Sequence, residues 1–196
     1  MKLHLTDTSP FARFVLVCMI EYDLPIPDLV WASPWSLPNE LIELNPFSMV
    51  PTLVLDDGEI LYDSTAIVHY LTHNQHMPQS LADYQTWALG KTLLETAFRH
   101  VSLKRYAPDD ATPHPFIDRT EQMMINALSS LKLQINEKQP SLTELQLVCA
   151  LDYINFRLPE LAQQYFSEST QNLLANFNQR SSFARTSPDV LKSFGA

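Results

Sequence analysis

Asn45-Pro46-Phe47-Ser48-Met49-Val50-Pro51-Thr52-Leu53-Val54-Leu55-Asp56-Asp57-Gly58-Glu59-Ile60-Leu61-Tyr62-Asp63-Ser64-Thr65-Ala66-Ile67-Val68-His69-Tyr70-Leu71 is the stretch whose reading decides the fold. Asn45-Pro46 is a turn signal. Thr52 to Leu55 and Glu59 to Tyr62 are short apolar-rich runs separated by Asp56-Asp57-Gly58, which predicts a hairpin. Asp63-Ser64 stands where a helix begins, with Ile67, Val68 and Leu71 at helical spacing behind it. The predicted order is loop, proline, hairpin, helix.

Pro51 carries the most information. A proline ahead of a strand cannot donate to the ladder, and X-Pro is where a cis bond costs little. A cis Val50-Pro51 bond would turn the N–H and C=O of Val50 outward, free to pair with an extended, peptide-like ligand. The helix start at Asp63-Ser64 would offer backbone N–H groups, a hydroxyl and a positive dipole end to a carboxylate. A ligand with a peptide backbone and a free carboxylate suits both features. These residues resemble the glutathione-binding half of the glutathione S-transferase family, in which Val-Pro precedes a hairpin and Glu/Asp-Ser opens a helix. The resemblance implies a cis bond at Pro51, pairing of Val50 with the cysteinyl backbone of glutathione, and a γ-glutamyl end held by Asp63 and Ser64.

Outward from this stretch, Lys2 to Thr6 alternates as a strand, and Asp7-Thr8-Ser9-Pro10 forms a turn with Ser9 as N-cap and Pro10 at the first helical position. Phe11, Phe14, Val15, Cys18 and Met19 then predict a helix to about Tyr22. A second strand is expected over Ile26 to Trp31 and a short helix over Pro38 to Leu44. This is the order of a thioredoxin-like α/β domain over residues 1–73, followed by a linker at 74–82. From 83 to 196 the chain predicts an all-helical domain, with helices near Leu81 to Tyr106, Phe116 to Glu137, Leu142 to Phe156, Glu160 and Gln171 to Arg180. Pro108, Pro113, Pro140 and Pro159 fall between them. Ser141-Leu142-Thr143-Glu144 is a capping box before the apolar run Leu145 to Leu151, marking a buried central helix. The family carries such a box at the same place.

The chain of 196 residues has a net charge of −9, which argues against nucleic-acid and anionic-membrane surfaces and favours small molecules or proteins as partners. No run reaches the length of a membrane span, and the first residues are too short and too polar for a secretory signal. Cys18 and Cys149 lie in apolar surroundings and read as core residues, so a reducing, cytoplasmic setting is expected. Three glycines are too few for a Gly-rich phosphate loop.

Ser9 is the candidate for chemistry. A hydroxyl at a helix N-terminus can donate to a thiolate while the dipole stabilises its charge, each effect being on the order of 1 kcal/mol. The bland alternative is a helix cap and nothing more. Thr8 to Phe11 resembles the active-site turn of serine- and cysteine-type glutathione transferases, which implies that Ser9, with Thr8 as the second choice, activates glutathione as a thiolate against a small hydrophobic electrophile or a peroxide. No cysteine stands there, which argues against the thiol-transferase branch. The family's loop often reads Asn-Pro-x-Gly-Lys; Ser48-Met49 stands here instead and removes a cation that could face the glycine carboxylate. Trp35 or Ser36 could act in its place. Arg13, one helical turn beyond Ser9, could assist the site or form a surface ion pair, and the ion pair is the favoured reading.

His69, His73 and His76 have a spacing that could hold a metal, but no Cys or carboxylate completes the set, and no metal is expected. Arg99, His100, Lys104 and Arg105 form a basic cluster that could meet an anionic substrate or balance the acidic surface. The second substrate is expected between the domains, with one wall drawn from the helix carrying Trp87, Leu94, Phe98, Val101 and Tyr106. The resemblance further implies a homodimer. A competing reading is a non-catalytic protein of the same fold, similar to the stringent starvation protein A group, which shares the Asn-Pro…Val-Pro-Thr-Leu and Leu-Tyr-Asp/Glu-Ser stretches and binds RNA polymerase instead of glutathione.

Overall fold

A computed structural model describes residues 1–107 and 114–195; Pro108 and Pro113 lie outside the described residues. The chain forms two compact units, one of Met1–Met77 with Asn178–Ala196 and the other of Pro78–Phe177.

In the first unit, strands β1 (Lys2–Leu5), β2 (Asp28–Trp31), β3 (Thr52–Val54) and β4 (Ile60–Leu61) make one sheet in the order β2-β1-β3-β4. Strand β1 runs parallel to β2, with Leu3 opposite Leu29, and antiparallel to β3, with Leu3 opposite Leu53. Leu53 in turn faces Leu61 across the β3–β4 hairpin. This is a thioredoxin-like mixed sheet, and its central strand buries Leu3 and Leu5 completely. Strand β2 starts later than the expected Ile26 because Pro27 has no N–H; the first donor available is Asp28, which bonds the carbonyl of Met1 at 3.0 Å. Helices α1 (Pro10–Glu21), α2 (Asn39–Leu44) and α3 (Ser64–Leu71) complete the expected order, and α1 packs against α3.

The second unit contains α4 (Leu81–Arg105), α5 (Pro115–Ser129), α6 (Leu142–Arg157), α7 (Pro159–Tyr165) and all but the last residue of α8 (Glu168–Asn178), with no strand among its described residues. Helix α6 is buried almost all round, as its apolar run requires. Its capping box is closed: the Ser141 N–H donates to Glu144 at 2.6 Å, and the Glu144 N–H donates to the Ser141 hydroxyl at 3.3 Å. Gly90 permits the approach of α4, since a Cβ there would stand 2.8 Å from the Leu147 nitrogen. Helix α5 ends at Ser129 rather than Glu137. Ser130 turns its hydroxyl onto the carbonyls of Asn126 and Ala127, and the Asn136 side chain accepts from the N–H groups of Lys138 and Gln139, so local side chains replace the helical ladder. Part of the expected linker is itself helix entry, where Ser80 caps α4 in a second capping box with Asp83.

A helical domain running to 196 is corrected by the tail. The helical unit ends at Phe177, and α9 (Ser181–Arg185) and α10 (Pro188–Phe194) belong to the first unit. The reason is burial: Ser182, Phe183, Thr186 and Leu191 are buried there, and Gly195 lies against the Trp31 ring.

Candidate functional site

Ser9 is the N-cap of α1, with Pro10 at the first helical position. Its Oγ accepts the Ala12 N–H at 3.2 Å, and the residue is 8% exposed. Accepting that bond uses one lone pair and leaves the hydroxyl proton free to donate. Thr8 is half-buried in the turn before it.

The Val50–Pro51 peptide is cis. Pro51 is buried and Val50 half-buried, and neither the N–H nor the C=O of Val50 enters a hydrogen bond among the described residues. The loop ahead of it is tied from inside. Buried Asn45 donates to the Met49 carbonyl and to the Thr52 hydroxyl, each at 3.1 Å, and accepts the Phe47 N–H at 3.1 Å. Thr52 donates to the same Met49 carbonyl at 2.8 Å. Asn45 and Thr52 thus fix the backbone that presents Val50, a role that sequence reading missed. An Asn that can bond its own backbone two residues on was the available signal. Within this loop Ser48 has φ +48°, the left-handed conformation a glycine adopts without strain.

At the start of α3, Asp63 is exposed and caps the helix, its Oδ1 accepting from Thr65 at 2.9 Å and Ala66 at 3.2 Å. That satisfies the second and third helical N–H groups and leaves the first, on Ser64. Ser64 is buried, and among the described residues neither its N–H nor its hydroxyl is bonded. The backbone N–H and side-chain O–H of one residue at a positive helix end make a carboxylate-sized pair of donors. The predicted residues Ser9, Val50, Pro51, Asp63 and Ser64 all fall within the first unit.

Arg13, expected at the surface, is 7% exposed and lies over the Phe183 ring at 5.4 Å. The histidines do not share a helix. Helix α3 ends at Leu71, His73 follows with φ +50°, and His76 stacks on Tyr22 at 3.9 Å. Burial pushes the pKa of His69 down, with Asp63 opposing. Among the described residues no three His, Cys, Asp or Glu side chains are grouped to hold a metal ion, and no helix is long and apolar enough to cross a membrane. Cys18 and Cys149 are buried, and no disulfide joins them. In the second unit, the basic cluster is divided: His100 is buried against α5, whereas the guanidinium of Arg99 lies over the Phe116 ring at 5.6 Å.

Residues 8–74 match the family described as glutathione S-transferase, N-terminal domain. Over 208 aligned positions the chain is 24% identical to the uncharacterised GST-like protein YibF of Escherichia coli K12, covering 96% of this chain and 98% of that protein. A glutathione S-transferase from Methylobacillus flagellatus, solved with glutathione bound, is 28% identical with a TM-score of 0.73, covering 95% of this chain and 98% of the other. A glutathione S-transferase from Methylobacterium radiotolerans, solved with glutathione sulfonate, has a TM-score of 0.80 at 22% identity, covering 95% of this chain and 94% of the other; at that identity the likeness bears on fold alone.

Proposed function

We propose, on the premise that this chain belongs to the glutathione S-transferase family, that it binds glutathione and activates its thiol as a thiolate for attack on a small hydrophobic electrophile or a peroxide. The observation that carries this reading is the pair of positions at the site with polar groups unbonded among the described residues: Val50 on both its N–H and C=O, and Ser64 on its N–H and hydroxyl. Polar backbone in or near a buried setting needs partners. A tripeptide with a free α-carboxylate at its γ-glutamyl end has matching groups for both.

In this reading Val50 pairs with the cysteinyl backbone and Ser64 holds the γ-glutamyl carboxylate. Asp63 keeps Oδ1 on the helix and turns Oδ2 to the γ-glutamyl ammonium. Ser9 donates its hydroxyl proton to the cysteinyl sulfur, at the positive end of α1, and so lowers the thiol pKa. Thr8 is the second donor. The thiol proton passes to solvent, and the thiolate forms a bond to carbon while the leaving group departs with its electron pair. With a peroxide it attacks an oxygen, and the O–O bond breaks to release an alkoxide that takes a proton from water; a second glutathione reduces the resulting sulfenic acid to the disulfide and water. No metal is required for this step. Support for a homodimer comes from the family and from the exposed apolar side chains Trp35, Leu37, Phe47 and Met49.

The non-catalytic reading draws on a specific observation, that Ser9 already has a structural role as the α1 cap. Calorimetric titration with reduced glutathione separates the two. Saturable binding, weakened about tenfold or more by Ser64→Ala, is the expected result. No binding at millimolar glutathione would overturn the enzyme reading and direct attention to protein partners.

A further inference from the structure

Helix α1 is fastened at both ends by the same short piece of the carboxy-terminal tail. In its first turn, Arg13 donates from Nη2 to the Phe183 carbonyl at 3.4 Å, and its guanidinium lies 5.4 Å from the centre of the Phe183 ring. In its last turn, Glu21 accepts from Arg180 Nε at 2.9 Å and Arg180 Nη2 at 2.5 Å, and from the Ser182 hydroxyl. Arg180, Ser182 and Phe183 lie at the cap and first residues of α9, and Ser182 and Phe183 are buried. Two attachments about eight residues apart on one rigid helix fix both its position along its axis and its rotation. Ser9 sits at the end of that helix, four residues before Arg13, whose N–H bonds the Ser9 carbonyl at 3.0 Å.

We propose that the tail, through Phe183 and Arg13, is a positioning element for the Ser9 hydroxyl, an inference that rests on the thiolate-holding role given to Ser9 above. Phe183 and Arg13 are positioning residues: they act on the thiol through the placement of α1. A hydroxyl-to-thiolate bond is steep in distance, and a displacement on the order of 1 Å at a reacting group costs up to about a hundredfold in rate. A segment some 170 residues away in the chain therefore sets the geometry of the first turn.

Phe183 is the residue to vary, because changing it alters no charge, so that a change in thiol acidity reports placement. The test uses the full chain as wild type, Phe183→Leu, Phe183→Ala and Ser9→Ala, with circular dichroism to establish folding. It reads the pKa of bound glutathione from thiolate ultraviolet absorbance, together with kcat and the calorimetric Kd. Phe183→Leu fills most of the volume and removes the ring beneath the guanidinium, so it keeps the test alive if Phe183→Ala does not fold. The expected result is a raised thiol pKa and a kcat lowered about tenfold, with Kd within about twofold of wild type. The effect on thiol pKa should vanish when Phe183→Leu is added to Ser9→Ala. A folded Phe183→Leu with the wild-type thiol pKa and kcat, and only a lower Tm, would overturn the proposal while leaving the role of Ser9 standing. A wild type that binds glutathione without depressing its thiol pKa would instead overturn the reading of Ser9 itself.

Discussion

Glu21 and Arg180 form a two-pronged ion pair, Nε to Oε1 at 2.9 Å and Nη2 to Oε2 at 2.5 Å, between residues 159 positions apart. The pair is partly shielded from water, and Ser182 adds a third donor. Planar fork-to-carboxylate geometry of this kind is stronger and more specific than a single contact. It joins the last turn of α1 to the start of α9, so the tail is part of the architecture of the first unit.

Glu21→Gln should lower stability at neutral pH by about 1–2 kcal/mol. Burial pushes the Glu21 carboxyl up, but the hydrogen bonds from Arg180 and Ser182 and the charge of Arg180 outweigh it, leaving a net shift below the ordinary 4.5. A carboxyl with a depressed folded value stabilises the fold above its unfolded value and loses that contribution as pH falls through the lower folded one. The difference between wild type and Glu21→Gln should therefore shrink below pH 4.5, as measured by denaturant titration at several pH values. A difference independent of pH would remove the charge from the account.

Ser9→Ala removes both a cap and a donor, whereas Ser9→Asp removes only the donor. An aspartate still accepts the Ala12 N–H and repels a thiolate. Melting temperatures should place Ser9→Asp near wild type and Ser9→Ala about 1 kcal/mol below it. Conjugation of glutathione to a chromogenic electrophile should be lost in both. Retained turnover in Ser9→Asp would shift the role to Thr8.

Ser48→Gly should stabilise the protein. At φ +48° a serine bears a steric cost of about 1 kcal/mol that glycine avoids, offset in part by the greater freedom of glycine in the unfolded chain. The Ser48 hydroxyl gives little in return, reaching the Pro34 carbonyl only at 3.5 Å. A gain of about 0.5 kcal/mol in chemical denaturation is the expected outcome, and a loss would show that the hydroxyl contact matters more than the backbone.

His100 ties the stability of the helical unit to pH. Its Nδ1 lies 3.2 Å from the Ile117 carbonyl and 3.0 Å from the Thr120 hydroxyl, at 1% exposure. Burial, followed by the charge of Lys104, pushes its pKa down, against opposing effects from the Ile117 carbonyl, Glu121 and Asp118. The folded state thus binds fewer protons than the unfolded state as pH falls through the ordinary 6.5, so stability is full above that value and declines below it. Thermal melts from pH 8 to 5 should show a smaller decline for His100→Gln than for wild type, and parallel curves would contradict this.

The strands and helices of the first 73 residues were legible because their signals are local. Ser9 and Asp63 cap helices through bonds two and three residues away, and the Ser141–Glu144 box spans three. The hairpin followed from Asp56-Asp57-Gly58 between two apolar runs. The overlong expectation for α5 shows the limit of such reading, since Ser130 and Asn136 compete with the helix by local bonds that periodicity does not register.

The candidate site divides in the same way. Residue types and spacing marked Ser9, Val50, Pro51, Asp63 and Ser64, but not the bonds of Asn45 and Thr52 that hold the loop, nor which donors at α3 stay unbonded once Asp63 has capped it. The sequence by itself determined the sheet-and-helix order of the first 73 residues, the caps at Ser9, Asp63 and Ser141, and the buried central helix, because each depends on neighbours within a turn or a pleat. Only the tertiary structure decided that Arg13 is buried, that Phe183 lies beneath it and that Glu21 meets Arg180. Charges and rings so far apart in the chain have no preferred partner until the fold brings them together, and an arginine read alone has water as its default neighbour.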